Sequence, residues 1–225
     1  MKKVKAILLT LIILFTLVSC GNKTSGSGNI KVELVDLEGI VIKEQSIEFD
    51  SDDTLKELIE SCFLDDMGVG SIPKLGSFNE GDYPINVMVP HAGYQYSGPI
   101  ASHGYCEIVK NGFPEVFIII SPNHTGFGSE ISVFNEGEWI TPLGNVCVDN
   151  EFADSIIEFS DIASADFTAH IREHSIEVQL PFLQYFSSDF KIVPITMGKQ
   201  DFVTSADLSN AILEAADKLN RSYCV

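Results

Sequence analysis

Apolar and polar residues alternate between positions 30 and 49, as in Ile30-Lys31-Val32-Glu33-Leu34. This predicts an N-terminal β arm of one or two strands with a turn near Glu38-Gly39. Asp50-Ser51-Asp52-Asp53 then offers side-chain oxygens that suit a helix N-cap. A helix follows, with Leu55, Leu58, Ile59 and Cys62 on one face. Residues 68–83 are rich in Gly, Pro and Asp and read as loop. After Pro84 the pattern changes. Residues 85–89 form a short apolar run that predicts a strand, and 98–110 predict a helix. Residues 116–120 are uninterrupted apolar, the mark of a strand covered on both faces. Helices are expected at 150–159 and 175–186, the second limited by Pro181 beyond its first turn. A strand at 191–197 and an amphipathic helix at 205–219 complete the series. Such alternation predicts an α/β domain over residues 50–225, a mostly parallel sheet flanked by helices.

The first twenty residues read differently. Lys2, Lys3 and Lys5 precede an apolar run over residues 6–18. A membrane-spanning helix needs roughly 20 apolar residues, so the run suits a secretory signal. Leu17-Val18-Ser19-Cys20 resembles the lipobox of bacterial lipoproteins, in which the cysteine becomes the lipidated first residue. Residues 21–29, rich in Gly and Ser, then form a flexible tether. The expected location is exported and anchored to the cell membrane through Cys20. The simpler alternative is a cleaved signal with an incidental cysteine.

Composition narrows the partners. The 225 residues carry 32 acidic and 14 basic side chains, a formal charge of −18. Without Lys2, Lys3 and Lys5 the balance is 11 minus 32, or −21. A body this acidic repels phosphate backbones, which argues against nucleic acid. Cys62, Cys106, Cys147 and Cys224 form no C-x-x-C pair, so they are open to disulfides or to buried thiols.

Two apolar segments each run into a proline and a histidine: Met88-Val89-Pro90-His91 and Ile120-Ser121-Pro122-Asn123-His124. Ligands of open α/β sheets bind beyond the carboxyl ends of the strands, and neutral imidazole is the commonest metal ligand. His91 and His124 are therefore candidate metal ligands, which a carboxylate would complete as a facial triad. The alternative is that each histidine packs a loop. Arg172-Glu173-His174-Ser175-Ile176-Glu177 places Glu173 and Glu177 on one face of a helix, as ligands, supports, or a solvated helix start. Tyr94, Asn123, Glu173 and His174 are the further pocket candidates, and Tyr96 a possible aromatic wall. No G-x-S-x-G elbow or G-K-[ST] phosphate loop is present.

Several of these stretches together resemble the Memo family: Pro90-His91-Ala92-Gly93-Tyr94-Gln95-Tyr96-Ser97-Gly98, Ser121-Pro122-Asn123-His124, Trp139-Ile140-Thr141-Pro142-Leu143-Gly144, and Glu173-His174-Ser175-Ile176-Glu177-Val178-Gln179-Leu180-Pro181-Phe182-Leu183. The resemblance, to the AmmeMemoRadiSam system protein B type, implies a fold like that of class III extradiol dioxygenases. By that resemblance His91 and His124 take the two histidine-ligand positions for a divalent metal, iron first and copper or zinc as alternatives. Glu173 and His174 would lie close to the pocket. The implied substrate is a small aromatic molecule, and the implied partners are AMMECR1-like and radical SAM proteins. The family usually continues past the position of Val225 with a strand, a Ser-Ser/Thr-Asp-x-x-His motif and a third ligand, often Cys. The resemblance thus implies a domain incomplete at its C-terminus. Three readings stay open: a metal-dependent dioxygenase-like oxidoreductase, a non-catalytic metal or small-ligand binding lipoprotein, and an inactive fragment.

Overall fold

The computed structural model describes residues 31–35, 41–46, 52–79 and 84–225. The expected signal (1–20), with Cys20, and the tether (21–29) lie outside the described residues. The chain divides into two compact units, residues 1–54 and 55–225. In the first, β1 (Lys31–Val35) pairs antiparallel with β2 (Val41–Ser46), Lys31 opposite Ser46.

The larger unit begins within α1 (Asp52–Leu64) and continues through α2 (Tyr94–Asn111), β3 (Val116–Pro122), β4 (Ile131–Val133), β5 (Glu138–Thr141), β6 (Gly144–Cys147), α3 (Asn150–Phe159), β7 (Ala163–Ala165), α4 (Leu180–Gln184), β8 (Lys191–Met197), α5 (Phe202–Leu219) and β9 (Tyr223–Cys224). Five strands form one sheet in the order β7-β4-β8-β3-β9. β8 and β9 run parallel to β3, and β7 runs parallel to β4; only the β4–β8 pairing is antiparallel. The expected architecture, an α/β fold with a mostly parallel sheet flanked by helices, is what the chain adopts. β5 and β6 form a separate hairpin.

β3 and β8 pair along their whole lengths, from Val116 opposite Lys191 to Pro122 opposite Met197. Helices cover both faces. Phe117 and Ile192 join Ile59, Phe63, Tyr105, Leu180 and Phe182 on one side. Val116, Ile118, Val193 and Ile195 join Phe152, Ile156, Leu208 and Ile212 on the other. This is why both strands are apolar at nearly every position instead of alternating. Burying such side chains contributes about 1.5–3 kcal/mol each.

Three expectations need correction. Residues 85–89 are extended but form no strand: within this segment the described main-chain bond is Val87 N–H to Val225 C=O, at 3.0 Å. A strand needs a ladder of such bonds. The segment packs instead on α2, where a side chain at Gly104 would put its Cβ 2.4 Å from Val89 Cγ1. The helix expected at 175–186 is reduced to α4, preceded by turns at 175–179. Pro181 does not end this helix but sits in its first turn, where its missing N–H has no partner to lose. Finally, α2 begins at Tyr94 and α5 at Phe202, earlier than the apolar pattern indicated; Asp201 caps α5 by accepting from Thr204 N–H at 2.9 Å. Cys62, Cys106 and Cys224 are buried free thiols.

Asp149 ties the end of the chain to α3. Its Oδ1 accepts from Phe152 N–H at 3.0 Å, and its Oδ2 lies 2.7 Å from Arg221 Nη2. Burial opposes ionisation, but Arg221, the Phe152 amide and Lys191 outweigh it and hold the carboxyl below its usual range. A lowered folded-state pKa contributes stability above the unfolded value of about 4, and that contribution is lost as pH falls through the folded value. Asp149→Asn keeps the cap and removes the charge. It should lower unfolding free energy by about 2 kcal/mol at pH 7, with the gap to the parent closing below about pH 4 in denaturant titrations. A gap independent of pH would show that the ion pair is not its source.

Candidate functional site

β3 ends at Pro122, and the loop beyond it is built by one side chain. Asn123 Oδ1 accepts from Thr125 N–H (2.9 Å), Thr125 Oγ1 (2.9 Å) and Gly126 N–H (2.8 Å), while its Nδ2 donates to Phe127 C=O (2.6 Å). Gly126 and Gly128 take φ of +73° and +91°, a region that favours glycine. The reversal places His124 at the sheet's carboxyl edge. Asn123 is thus spent on shaping the loop.

Glu173 holds His124 from behind. Its side chain is only 3% exposed. Oε2 accepts from His124 N–H at 2.7 Å, and Oε1 lies 3.0 Å from His124 Nδ1. Oε1 also accepts from Ser175 N–H at 3.1 Å and Ser175 Oγ at 2.8 Å. Burial alone would raise this carboxyl, but the donors on His124 and Ser175 win and hold it down to about 2. An ionised carboxylate accepts only, so the Nδ1 contact requires a proton on Nδ1. In the neutral ring that leaves Nε2 with a free lone pair, the arrangement in which metal-bound histidines are oriented by a carboxylate.

That lone pair points at a second imidazole. His91 Nε2 lies 3.4 Å from His124 Nε2, and the rings meet at 57° with centroids 5.1 Å apart. At 3.4 Å the contact is a poor hydrogen bond. Two nitrogens each about 2.1 Å from a common ion, the usual zinc–nitrogen distance, and about 108° apart at it would have this separation. The donor pair therefore fits two positions of a first-row metal. Among the described residues no group of three or more His, Cys, Asp or Glu gathers around one point.

Beside His91 opens a cavity of about 270 Å³, walled by β3 residues from Phe117 to Ser121, by Val87 and Val89, and by Leu183. Much of its polar lining is already engaged: Tyr105 Oη donates to Gln179 Oε1 at 2.5 Å, Gln179 Nε2 to Ser175 C=O at 3.1 Å, and Ser175 to Glu173.

The other candidates lie apart from the pair. His174 is 77% exposed and holds Glu177 at 2.8 Å. Tyr94 packs edge-on against Phe182 at 5.9 Å, with its hydroxyl pushed well above its usual range by burial and by Glu177. Tyr96 is largely exposed, and His103 sits on the outer side of α2 with Nε2 3.1 Å from Met67 C=O. His170 is buried: Nε2 lies 3.2 Å from Ser132 C=O and Nδ1 3.2 Å from Thr196 Oγ1, with Phe134 and Trp139 edge-on around it. It joins β4 to β8. Ser175 and Gln179 are the members that sequence reasoning missed. Their spacing after Glu173 is the signal that would have found them once the segment is read as turns.

An α/β sheet with two imidazoles facing each other at its carboxyl edge, one held by a buried carboxylate, defines the class. A family model described as Memo-like protein matches residues 49–225, and the chain belongs to the Memo family. It is 68% identical over 176 residues to a MEMO1 family protein of Methanobrevibacter smithii, covering 78% of this chain and 62% of that one. A MEMO1 family protein of Methanothermobacter thermautotrophicus is 46% identical over 171 residues (76% and 61%), and one of Thermotoga petrophila 49% over 161 residues (71% and 58%). The chain spans about three-fifths of the length of these relatives.

Glu173→Gln replaces an acceptor-only head with one that is half donor, so one of the four surrounding N–H or O–H groups loses its partner. Unfolding free energy should fall by about 1–3 kcal/mol. Glu173→Ala removes the acceptor altogether, and imidazole ¹⁵N shifts should then show His124 leaving the Nδ1–H tautomer. Unchanged shifts would mean that another group sets the tautomer.

Proposed function

We propose that this Memo-family chain is a lipid-anchored protein whose His91 and His124 supply two nitrogen ligands to a divalent metal, in a dioxygenase-like oxidoreductase acting on a small aromatic substrate. The observation that carries the metal reading is the facing Nε2 pair at 3.4 Å, with His124 locked in the ligating tautomer by Glu173. Iron is the preferred ion and copper or zinc the alternatives. The ion, when bound, supplies Lewis acidity or redox chemistry. The chain's own part is to orient both rings, to keep the proton on His124 Nδ1 where it donates to Glu173, and to bury that carboxylate away from water. The substrate class and the AMMECR1-like and radical SAM partners rest on the family resemblance. A second reading, metal binding without turnover, is favoured by the two-donor set. The lipid anchor rests on Leu17-Val18-Ser19-Cys20; among the described residues no helix is long and apolar enough to cross a membrane.

Loaded anaerobically with Fe(II), Cu(I) or Zn(II), the parent should bind one ion per chain. His91→Ala and His124→Ala should each weaken binding by at least about tenfold, equivalent to about 1.4 kcal/mol. A folded parent that binds none of the three ions overturns the metal reading. Ring opening of a catechol panel by the iron form separates the oxidoreductase from the binding protein. In cells, Cys20→Ala should move the protein from the membrane fraction to the soluble or unprocessed pool; unchanged retention would rule out the anchor.

A further inference from the structure

We infer that Asp166 is a positioning residue for His124: it seats the 123–130 loop on the sheet and so sets the gap between the two Nε2 atoms, a role that rests on reading that pair as a metal site. The loop leaves β3 and returns to β4, and main-chain bonds fix its ends to the end of β8. Asn123 N–H donates to Met197 C=O at 3.1 Å, and Gly198 N–H donates to Glu130 C=O at 2.9 Å. Between these ends the segment at 166–175 holds the loop. Two carboxylates of that segment, seven residues apart, grip two loop residues that are five apart. Each accepts one main-chain N–H and one side-chain donor. Glu173 takes those of His124. Asp166 takes those of Ser129, with Oδ2 2.8 Å from the amide nitrogen and 3.1 Å from Oγ.

Asp166 is fixed to the sheet itself. It follows β7, and its own N–H donates to Val133 C=O of β4 at 3.0 Å. Ser132, fully buried in β4, donates its Oγ–H to the same Oδ2 at 3.1 Å. Oδ1 accepts from Thr168 N–H at 2.8 Å and closes the turn that opens the segment. Burial alone would raise this carboxyl, but the donors on Thr168, Ser129 and Ser132 hold it below its usual range. At neutral pH it therefore only accepts. Gly128 lies between the two grips. A Cβ built there would stand 2.7 Å from both Ala169 Cβ and Asp166 Oδ2, so the loop rests directly on the segment.

The two carboxylates act on different coordinates of the same imidazole. Glu173 bonds the ring and fixes its rotation and tautomer. Asp166 bonds Ser129, so it acts through the loop on where His124 stands. His91 belongs to another segment, ahead of α2, so a shift of the loop is not shared by the opposite ring and changes the gap directly. Metal–ligand distances are held to within about 0.2 Å, which leaves little room for such a shift. Loss of a group that orients a ligand without touching the metal weakens binding about ten- to a hundredfold. Asp166 stands one step further out than Glu173 and belongs at the lower end. An Asp166 that only stabilised the fold would leave the affinity of the folded protein unchanged.

The test uses the full chain with Zn(II) as the probe, the free ion set by a competing chelator. Asp149→Asn serves as the control, because it is destabilised at the amino end of β8, where Asp149 N–H meets Ile192 C=O. In Asp166→Ala, zinc affinity should fall by about tenfold, while in Asp149→Asn it should keep the parent's value. Exchange of the His124 amide, measured without metal, should quicken by at least about tenfold together with that of Ser129. Imidazole ¹⁵N shifts should keep His124 in the Nδ1–H tautomer, because Glu173 is intact. Parental zinc affinity in Asp166→Ala, an equal loss in Asp149→Asn, loss of the tautomer, or faster exchange confined to Ser129 and Thr168 overturns the assignment. A folded parent that binds no zinc counts against zinc as the ion, and exchange at His124 then decides the role of Asp166 by itself. If Asp166→Ala does not fold, Asp166→Asn, which keeps the side chain's size, carries the same readings with smaller changes in the same direction.

Discussion

β3 and β8 lie side by side for seven residue pairs, most of their residues buried and both faces covered by helices, and the rest of the larger unit is placed against them. A strand covered on both sides must be apolar throughout, and a parallel pair must be joined by a long crossover. In this chain the crossover holds β4, the β5–β6 hairpin, α3, β7 and the turns around Glu173. The ladder therefore decides where the functional edge falls. Whatever the crossover carries past the carboxyl ends of β3 and β8 comes to lie beside His124.

The second constraint is electrostatic. A buried carboxylate is costly unless donors surround it. Glu173 meets four, two from His124 and two from Ser175. The same bonds that keep it ionised fix the chain direction on both sides of the site and the tautomer of one imidazole. Folding and the orientation of the His124 imidazole thus rest on one side chain, and a substitution there affects both.

The fold was legible where the pattern was long. The runs at 116–120 and 191–197 and the amphipathic stretches at 150–159 and 205–219 mark real elements because each must cover a face of the same sheet. Three-residue strands such as β4 and β7 give too little pattern to read. Residues 85–89 have a strand's composition without a strand, since composition sets side-chain burial while pairing depends on what lies alongside. In the site, His91 and His124 were legible from their place after apolar runs, and the structure brings their Nε2 atoms together. Glu173 joins them as a support, while His174, one residue on, is turned to solvent. A helical reading of that segment could not separate the two, because turns, not a helix, set which neighbour points inward.

Trp139 is the only tryptophan in the sequence, and it stands edge-on to Phe134 and His170 in the packing between the hairpin and β4. Burial keeps the His170 imidazole below its usual range and so uncharged at neutral pH. Indole emission is quenched by a nearby imidazolium more than by neutral imidazole. The intrinsic fluorescence of this protein is therefore a built-in reporter on the docking of the hairpin, read separately from the optical signals of any ion held by His91 and His124.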